Sequence, residues 1–178
     1  MERSEGFAPV VAPDARVLIL GSLPGRKSIQ EQQYYAHSRN AFWPIMREVL
    51  GIDGEYEDRC RGLIENRVAL WDVLRASVRP GSLDADIRAN TATVNDFAWL
   101  LRKSPHIRSI LFNGKKAETM FARMIGSTDE LTPRLSTVRL HSLPSTSPAY
   151  AAMPFSGKLA AWREALLDDA AREQRRSR

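Results

Sequence analysis

The chain carries the run Val17-Leu18-Ile19-Leu20-Gly21-Ser22-Leu23-Pro24-Gly25 near its amino end, and this run indicates the architecture of the molecule. Consecutive apolar residues without polar alternation predict a strand at residues 16–20 that is buried on both faces, as parallel strands are. The Gly/Pro turn that follows therefore leaves the carboxyl end of a strand, where ligands bind in open α/β sheets. We expect residues 21–25 to line a binding site.

A second distinctive segment, Tyr35-Ala36-His37-Ser38-Arg39-Asn40-Ala41-Phe42-Trp43, follows ten residues later. Aromatic rings that can stack, together with an amide that can read a polar edge, suit a nucleobase as ligand. Phe42 and Trp43 also begin an apolar helical stripe, so we favour the core for both. Tyr35 suits stacking and packing equally well, and Asn40 is also a good N-cap for the helix that follows.

Further apolar runs predict strands at residues 68–71, 109–112 and 137–143, and residues 72–86 are predicted to be a loop. Apolar residues at helical spacing predict helices at residues 42–50, 59–66, 93–103, 115–125 and 156–172. Strands that alternate with helices indicate an α/β fold: a three-layer α/β/α sandwich with a central four-stranded parallel sheet. We expect a single domain over residues 1–178, with a loosely ordered lead-in at 1–14 and a loosely ordered basic tail at 173–178.

Three polar segments follow predicted strands and should therefore meet at one edge of the sheet: residues 21–25, Asn113-Gly114 and residues 143–148. The start of the helix after Gly114 offers free N–H groups to a phosphate or carbonyl oxygen. The same residues also fit an ordinary strand-to-helix turn in which Asn113 is the cap. The loop at 143–148 holds two prolines and three hydroxyls, which suit contacts to DNA phosphates and a wedge into a base stack.

Composition narrows the class of protein. The chain is 43% hydrophobic and 26% charged, as soluble domains are. Its amino end has no apolar signal core, so we expect a cytoplasmic protein. We also expect it to be a monomer. Cys60 stands alone, which excludes an internal disulfide and a multi-cysteine metal site. The net charge of +5 permits nucleic acid as a partner. No Gly-x-Ser-x-Gly elbow occurs and the histidines lack metal-ligand spacing, which disfavours serine hydrolases and metallohydrolases.

At these segments the chain resembles the uracil-DNA glycosylase superfamily, and most closely its hypoxanthine-DNA glycosylase branch. Residues 21–25 resemble the first motif of the superfamily, and residues 143–149 resemble its second motif, the DNA-intercalating loop. Residues 34–46 are similar to the hypoxanthine branch in particular, and residues 112–117 resemble the third strand and the helix after it. The resemblance extends over about residues 15–170.

The resemblance implies a monofunctional DNA glycosylase of base excision repair, which flips a deaminated base out of DNA and hydrolyses its bond to deoxyribose without a metal or cofactor. It implies a catalytic role for Asn40, in contact with the base or the attacking water, and stacking of the base on Tyr35. The implied base pocket consists of Gly21, Ser22, Leu23, Pro24, Tyr35, His37 and Asn113. The implied DNA-binding residues are Leu143, Pro144, Ser145, Thr146, Ser147, Arg39 and Lys115.

Two positions depart from the pattern of the superfamily. Uracil-acting branches carry a polar residue at the place of Leu23 or Ser22, and several branches carry a histidine at the place of Leu143. Both departures favour hypoxanthine over uracil, and they leave the residue that positions the attacking water unassigned. Two alternatives stay open: a uracil or G:T/U mismatch glycosylase, and a non-catalytic DNA- or nucleotide-binding module on the same fold.

Overall fold

The computed structural model describes residues 3–81, 83–126 and 128–176. Its strands are β1 (Arg3–Glu5), β2 (Val17–Gly21), β3 (Val68–Asp72), β4 (Leu74–Val78), β5 (Thr93–Val94), β6 (Ser109–Asn113) and β7 (Arg139–Leu143). Its helices are α1 (Arg26–Glu31), α2 (Phe42–Leu50), α3 (Tyr56–Glu65), α4 (Phe97–Lys103), α5 (Lys115–Met124), α6 (Thr132–Leu135) and α7 (Phe155–Arg176). Short 3-10 turns occupy Asp84–Asp86 and Ala89–Thr91.

The centre of the molecule is a four-stranded parallel sheet with strand order β3-β2-β6-β7, which confirms the predicted sheet. Every residue of β2, β3 and β6 is buried, which explains why these strands read as continuous apolar runs. The edge strand β7 instead mixes exposed and buried positions. Its polar residues made its start harder to define, and it begins at Arg139 rather than at residue 137.

Helices cover both faces of this sheet, as the three-layer prediction requires. On one face, the ring of Trp71 lies 5.4 Å from Phe97 of α4, and Phe112 lies 5.3 Å from Phe121 of α5. On the other face, α2 and α7 pack against each other through aromatic rings. No helix in the described ranges has both the length and the apolar character that crossing a bilayer requires.

A second, antiparallel sheet with strand order β1-β4-β5 was not foreseen. The prediction of a loop over residues 72–86 is wrong because β4 lies within it, and the helix predicted from residue 93 begins only at Phe97. Residues 93–94 pair with β4 instead, and the side chain of Asp96 caps α4 by accepting the N–H of Trp99 at 2.8 Å. These strands are too short for their periodicity to stand out from the neighbouring turns.

The two chain ends differ from the loose segments that the sequence suggests. The described part of the lead-in pairs β1 with β4, and Val10 exchanges backbone hydrogen bonds of 2.9 Å with Leu70. Backbone pairing of this kind leaves no trace in a short polar sequence. At the other end, α7 continues to Arg176, four residues beyond its predicted end at 172, and residues 177–178 lie outside the described ranges.

Candidate functional site

The carboxyl ends of the four parallel strands bring Asp72, Gly21, Asn113 and Leu143 into one row across the sheet. Gly21 lies opposite Asp72, and Asn113 lies opposite Leu143. The pairing of β2 with β6 continues this register, so that Gly21 also neighbours Asn113. Residues in register on parallel strands project to the same face of a sheet. The three segments expected at one edge therefore do meet, and Asp72 joins them.

Gly21 is required because two polar groups occupy the place of its missing side chain. A Cβ atom there would collide with Oδ1 of Asp72 and would lie 3.0 Å from the hydroxyl oxygen of Tyr35. The Tyr35 hydroxyl and Oδ2 of Asp72 are both shielded from solvent. A carboxylate and a phenol thus converge over the backbone of the first motif and form a polar floor at the sheet edge.

The turn after β2 is held rigidly by the segment that leads into the second sheet. Backbone N–H groups at the junction of β3 and β4 donate to the carbonyls of Gly21 and Ser22, at 2.8 and 3.0 Å. The buried guanidinium of Arg79 donates to the carbonyls of Leu23, at 3.3 Å, and Pro24. Gly21, Ser22, Leu23 and Pro24 are all buried, so this wall of the site is fixed before any ligand arrives.

Tyr35 adopts a left-handed backbone conformation, with φ of +55°, which lets its ring turn back over the sheet edge. The ring stacks on Phe42, with centroids 4.1 Å apart, so packing on Phe42 covers one of its faces. Phe42 and Trp43 are buried, as we favoured. Tyr34 is buried too, and burial raises its pKa, with the nearby charge of Asp72 adding to the effect.

Asn40 is half-buried and holds the start of α2 with one end of its amide. Its Oδ1 accepts the N–H of Phe42 at 3.0 Å, one residue beyond the N-cap, Ala41. Its Nδ2 donates to no other residue in the described ranges, so the second end of the amide is available to a ligand. His37 lies on the exposed turn before it, where Nδ1 accepts the N–H of Arg39 at 3.1 Å.

Asn113 and Thr146 hold the loop at 143–148 against the end of β6. The amide of Asn113 donates to the hydroxyl of Thr146 at 2.9 Å and accepts its N–H at 2.8 Å. The carbonyl of Thr146 in turn accepts the N–H of Ala41 at 2.9 Å, which links the loop to the start of α2. Thr146 is only 1% exposed, so its hydroxyl faces inward. The sequence had led us to expect this hydroxyl to face DNA. In this structure both ends of the Asn113 amide are bonded to the loop.

Helix α7 supports the same loop from the other side. Trp162 donates its ring N–H to the carbonyl of Pro144 at 3.0 Å, and Lys158 donates to the carbonyl of Ser147 at 3.1 Å. Burial lowers the pKa of Lys158. Ser145 and Ser147 are half-buried, and each hydroxyl accepts the backbone N–H two residues further on, at 3.2 Å. The loop is therefore pre-formed, and these two serines are its hydroxyl residues that reach solvent.

Both predicted DNA-binding cations are on the surface near these segments. Arg39 is exposed, and Lys115 is exposed at the first position of α5, where it pairs with Glu118 at 2.6 Å. Hydrogen bonds from Lys115 and from Ser142 lower the pKa of Glu118. Within the described ranges, no three His, Cys, Asp or Glu side chains come close enough together to hold a metal ion.

Asp72 is the residue of this site that sequence reasoning missed. The predicted strand ended at Trp71, which placed Asp72 in a loop, whereas the structure makes it the last residue of β3 and only 3% exposed. The signal was nevertheless present, because an acidic residue directly after a buried parallel strand belongs to the same edge as the first motif. Arg79 gave no such signal, since its role depends on the second sheet.

The chain is similar to several known proteins. The uracil DNA glycosylase superfamily is matched over residues 8–171. Two similar proteins are both named hypoxanthine DNA glycosylase. The one from Methanosarcina barkeri is 39% identical over 118 residues, which are 65% of this chain and 73% of the relative. The one from Methanosarcina acetivorans is 42% identical over 115 residues, which are 63% of this chain and 72% of the relative. A solution NMR structure, described as a candidate uracil DNA glycosylase from Methanosarcina acetivorans, has 34% identity and a TM-score of 0.71 and covers 92% of this chain and 98% of its own.

Proposed function

The chain belongs to the uracil DNA glycosylase superfamily and is a DNA glycosylase of base excision repair, and we propose that hypoxanthine is the base it removes. The relatives named for this activity support the choice of base. The observation in the site that supports it is the polar floor, where a carboxylate and a phenol converge over Gly21 at the carboxyl edge of the sheet. A polar surface of this kind suits a purine with polar groups along its edge better than an apolar pocket would.

The reaction breaks the bond between C1′ of deoxyribose and N9 of the base. The electron pair of that bond leaves with the base, the sugar becomes positively charged, and a water oxygen bonds to C1′. We assign to Asp72 the part that Leu23 cannot fill: its carboxylate stabilises the charged sugar and takes the proton that the water releases. The departing base takes up a proton from solvent.

The remaining groups hold the base and the DNA. Nδ2 of Asn40 donates to the base or to the attacking water, and the ring of Tyr35 stacks on the base. Ser145 and Ser147 contact the DNA backbone and fill the gap that the flipped nucleotide leaves in the duplex. Asn113 and Thr146 position the loop at 143–148, which carries these serines. Arg39 and Lys115 contact phosphates. We propose that the protein does this as a monomer in the cytoplasm.

One assay tests the assignment. The protein is incubated with duplexes that hold hypoxanthine, uracil, xanthine or mismatched thymine, and abasic sites are then cleaved with alkali. We expect hypoxanthine to be removed fastest under single-turnover conditions. Faster removal of uracil or thymine would favour the mismatch alternative, and duplexes that are bound but never cleaved would favour the non-catalytic one.

A further inference from the structure

The opposite edge of the parallel sheet carries a row of arginines that the site does not use. Arg67, Arg16 and Arg108 directly precede β3, β2 and β6, which are neighbours in the sheet. Their backbones are bonded in sequence: the N–H of Arg16 donates to the carbonyl of Arg67, and the N–H of Arg108 to that of Arg16, both at 2.8 Å. We call these three residues the arginine edge. Arg139 flanks it, because its N–H donates to the carbonyl of Arg108 at 2.8 Å.

The arginine edge concentrates positive charge. Burial lowers the pKa of Arg16, and the charges of Arg67 and Arg108 lower it further, while only Asp14 acts in the opposite direction. Asp14 is exposed and lies 3.6 Å from Nε of Arg67, so its carboxylate offsets part of this positive charge. Like charges at neighbouring strand ends repel each other. An anion bound outside the fold would weaken this repulsion.

The side chains are placed to reach that anion. The Arg67 side chain is 46% exposed, and Arg16 and Arg108 are half-buried. Neighbouring strands lie about 4.8 Å apart, so three consecutive strand ends span roughly 10 Å. A DNA duplex presents one phosphate charge per about 1.7 Å of its axis, and guanidinium groups bind phosphate in two-pronged fashion. A line of arginines on an open edge matches a line of phosphates and needs no shaped cavity.

The strands between the two edges are five residues long, or about 16 Å, so DNA engaged at the site does not also run along the arginine edge. We propose that the arginine edge binds the phosphate backbone of a second DNA segment while the first occupies the site. The inference rests on the proposed function, because that function is what makes DNA the ligand of this protein. Its consequence is that the protein passes between DNA segments without first dissociating into solution.

A capture experiment tests this inference. Protein is bound to an immobilised duplex that contains hypoxanthine, and retention of a labelled, undamaged 30-base-pair duplex is measured against salt. The test variant is Arg67→Gln/Arg108→Gln. The matched control, Arg61→Gln/Arg102→Gln, removes two arginines from α3 and α4 that are paired with carboxylates at 3.0 Å. Melting curves check that both variants fold.

We expect the test variant to lose capture at least about fivefold and its salt slope to fall by about two, since each phosphate contact contributes about 0.9 to the slope. The control should capture like the unmodified protein, and excision from a single short duplex should be unchanged in both. Asp14→Asn should strengthen capture. Equal capture by all variants, equal loss in the control, or competition by polyglutamate as strong as by DNA would overturn the inference.

The outcomes separate this inference from the proposed function. Capture without hypoxanthine excision would refute the proposed base and leave the second DNA site standing. Hypoxanthine excision without capture of a second duplex would refute the second DNA site and leave the proposed function standing.

Discussion

Single residues determine what this site can do, and Asp72 is the most consequential of them. It is the one carboxylate in the row of strand ends that faces the first motif, and it lies against Gly21 in a place shielded from solvent. Leu23, in the motif itself, has no group that can accept a proton. In the proposed mechanism, the chemical role expected of the first motif therefore passes to Asp72 on the neighbouring strand.

Asp72→Asn keeps the volume and removes the carboxylate, so we expect the single-turnover rate of hypoxanthine excision to fall by about 10²–10³. Affinity for a duplex should stay within about twofold, because the Asp72 side chain is only 3% exposed. Gel-shift titration and alkali cleavage measure the two quantities. Asp53→Asn, at an exposed carboxylate, is the control. A normal rate in Asp72→Asn would show that Asp72 serves the fold alone.

We propose that Asn40 combines a structural and a chemical role in the two ends of one amide. Asn40→Ala should lower the excision rate by about 10²–10³ and also destabilise the start of α2 by about 1 kcal/mol, because Oδ1 holds the N–H of Phe42. Asn40→Asp retains that acceptor and loses the Nδ2 donor. We therefore expect it to have a nearly normal melting temperature and a low rate. An active Asn40→Asp enzyme would contradict the proposed contact.

At the scale of elements, the loop at 143–148 is built from two kinds of residue. Thr146 and Pro144 are tied to β6 and α7 through hydrogen bonds, whereas the serines on either side of Thr146 reach solvent. The loop is thus a rigid support with a small contact surface. If the loop enters the base stack as we propose, its stiffness is an advantage, because little freedom is left to lose when DNA binds.

Ser145→Ala/Ser147→Ala should therefore affect extrusion of the base more than cleavage of its bond. A mispaired base is easier to extrude, so the rate should fall most for hypoxanthine opposite cytosine, less opposite guanine, and hardly at all in single strands. Single-turnover rates on the three substrates give the comparison. Thr146→Val, which removes the hydroxyl that accepts from Asn113 and keeps the backbone bond, serves as a contrast and should slow all three. Equal losses with the serine variant would mean that the serines shape the base pocket.

The elements also show what a sequence can and cannot predict. The strands β2, β3 and β6 were recognisable because burial on both faces makes them continuously apolar. The second sheet was not, because β1 and β5 are two or three residues long and depend on pairing with β4. The inward orientation of Thr146 was equally hidden, since it is fixed by Asn113, 33 residues earlier in the chain.

At the scale of the whole molecule, the two sheets have different tasks. The parallel sheet brings the strand ends together. The small sheet positions Arg79, which directly follows β4 and holds the carbonyls of the first motif. Residues that were expected to form a loop thus stabilise one wall of the site. The amino-terminal segment contributes as well, because β1 completes the sheet to which β4 belongs.

The whole reaction is expected to need no metal ion, since the proposed mechanism draws its charge stabilisation and proton acceptor from Asp72 and Asn40. Excision should proceed at the same rate in EDTA as in magnesium at matched ionic strength, because ionic strength alone changes DNA affinity. Dialysed protein assayed in both buffers provides the measurement. A rate that EDTA abolishes and one particular divalent cation restores would contradict this mechanism.

The contact between Gly21 and Asp72 also constrains how related sequences can vary. A side chain at position 21 and a carboxylate at position 72 compete for one volume, so the two positions should change together rather than independently. In an alignment of many relatives, we expect chains with alanine or a larger residue at the first position to carry a smaller residue at the second. The pair then serves as a two-letter signature, and it would sort unassigned sequences by the chemistry of their site before any of them is expressed.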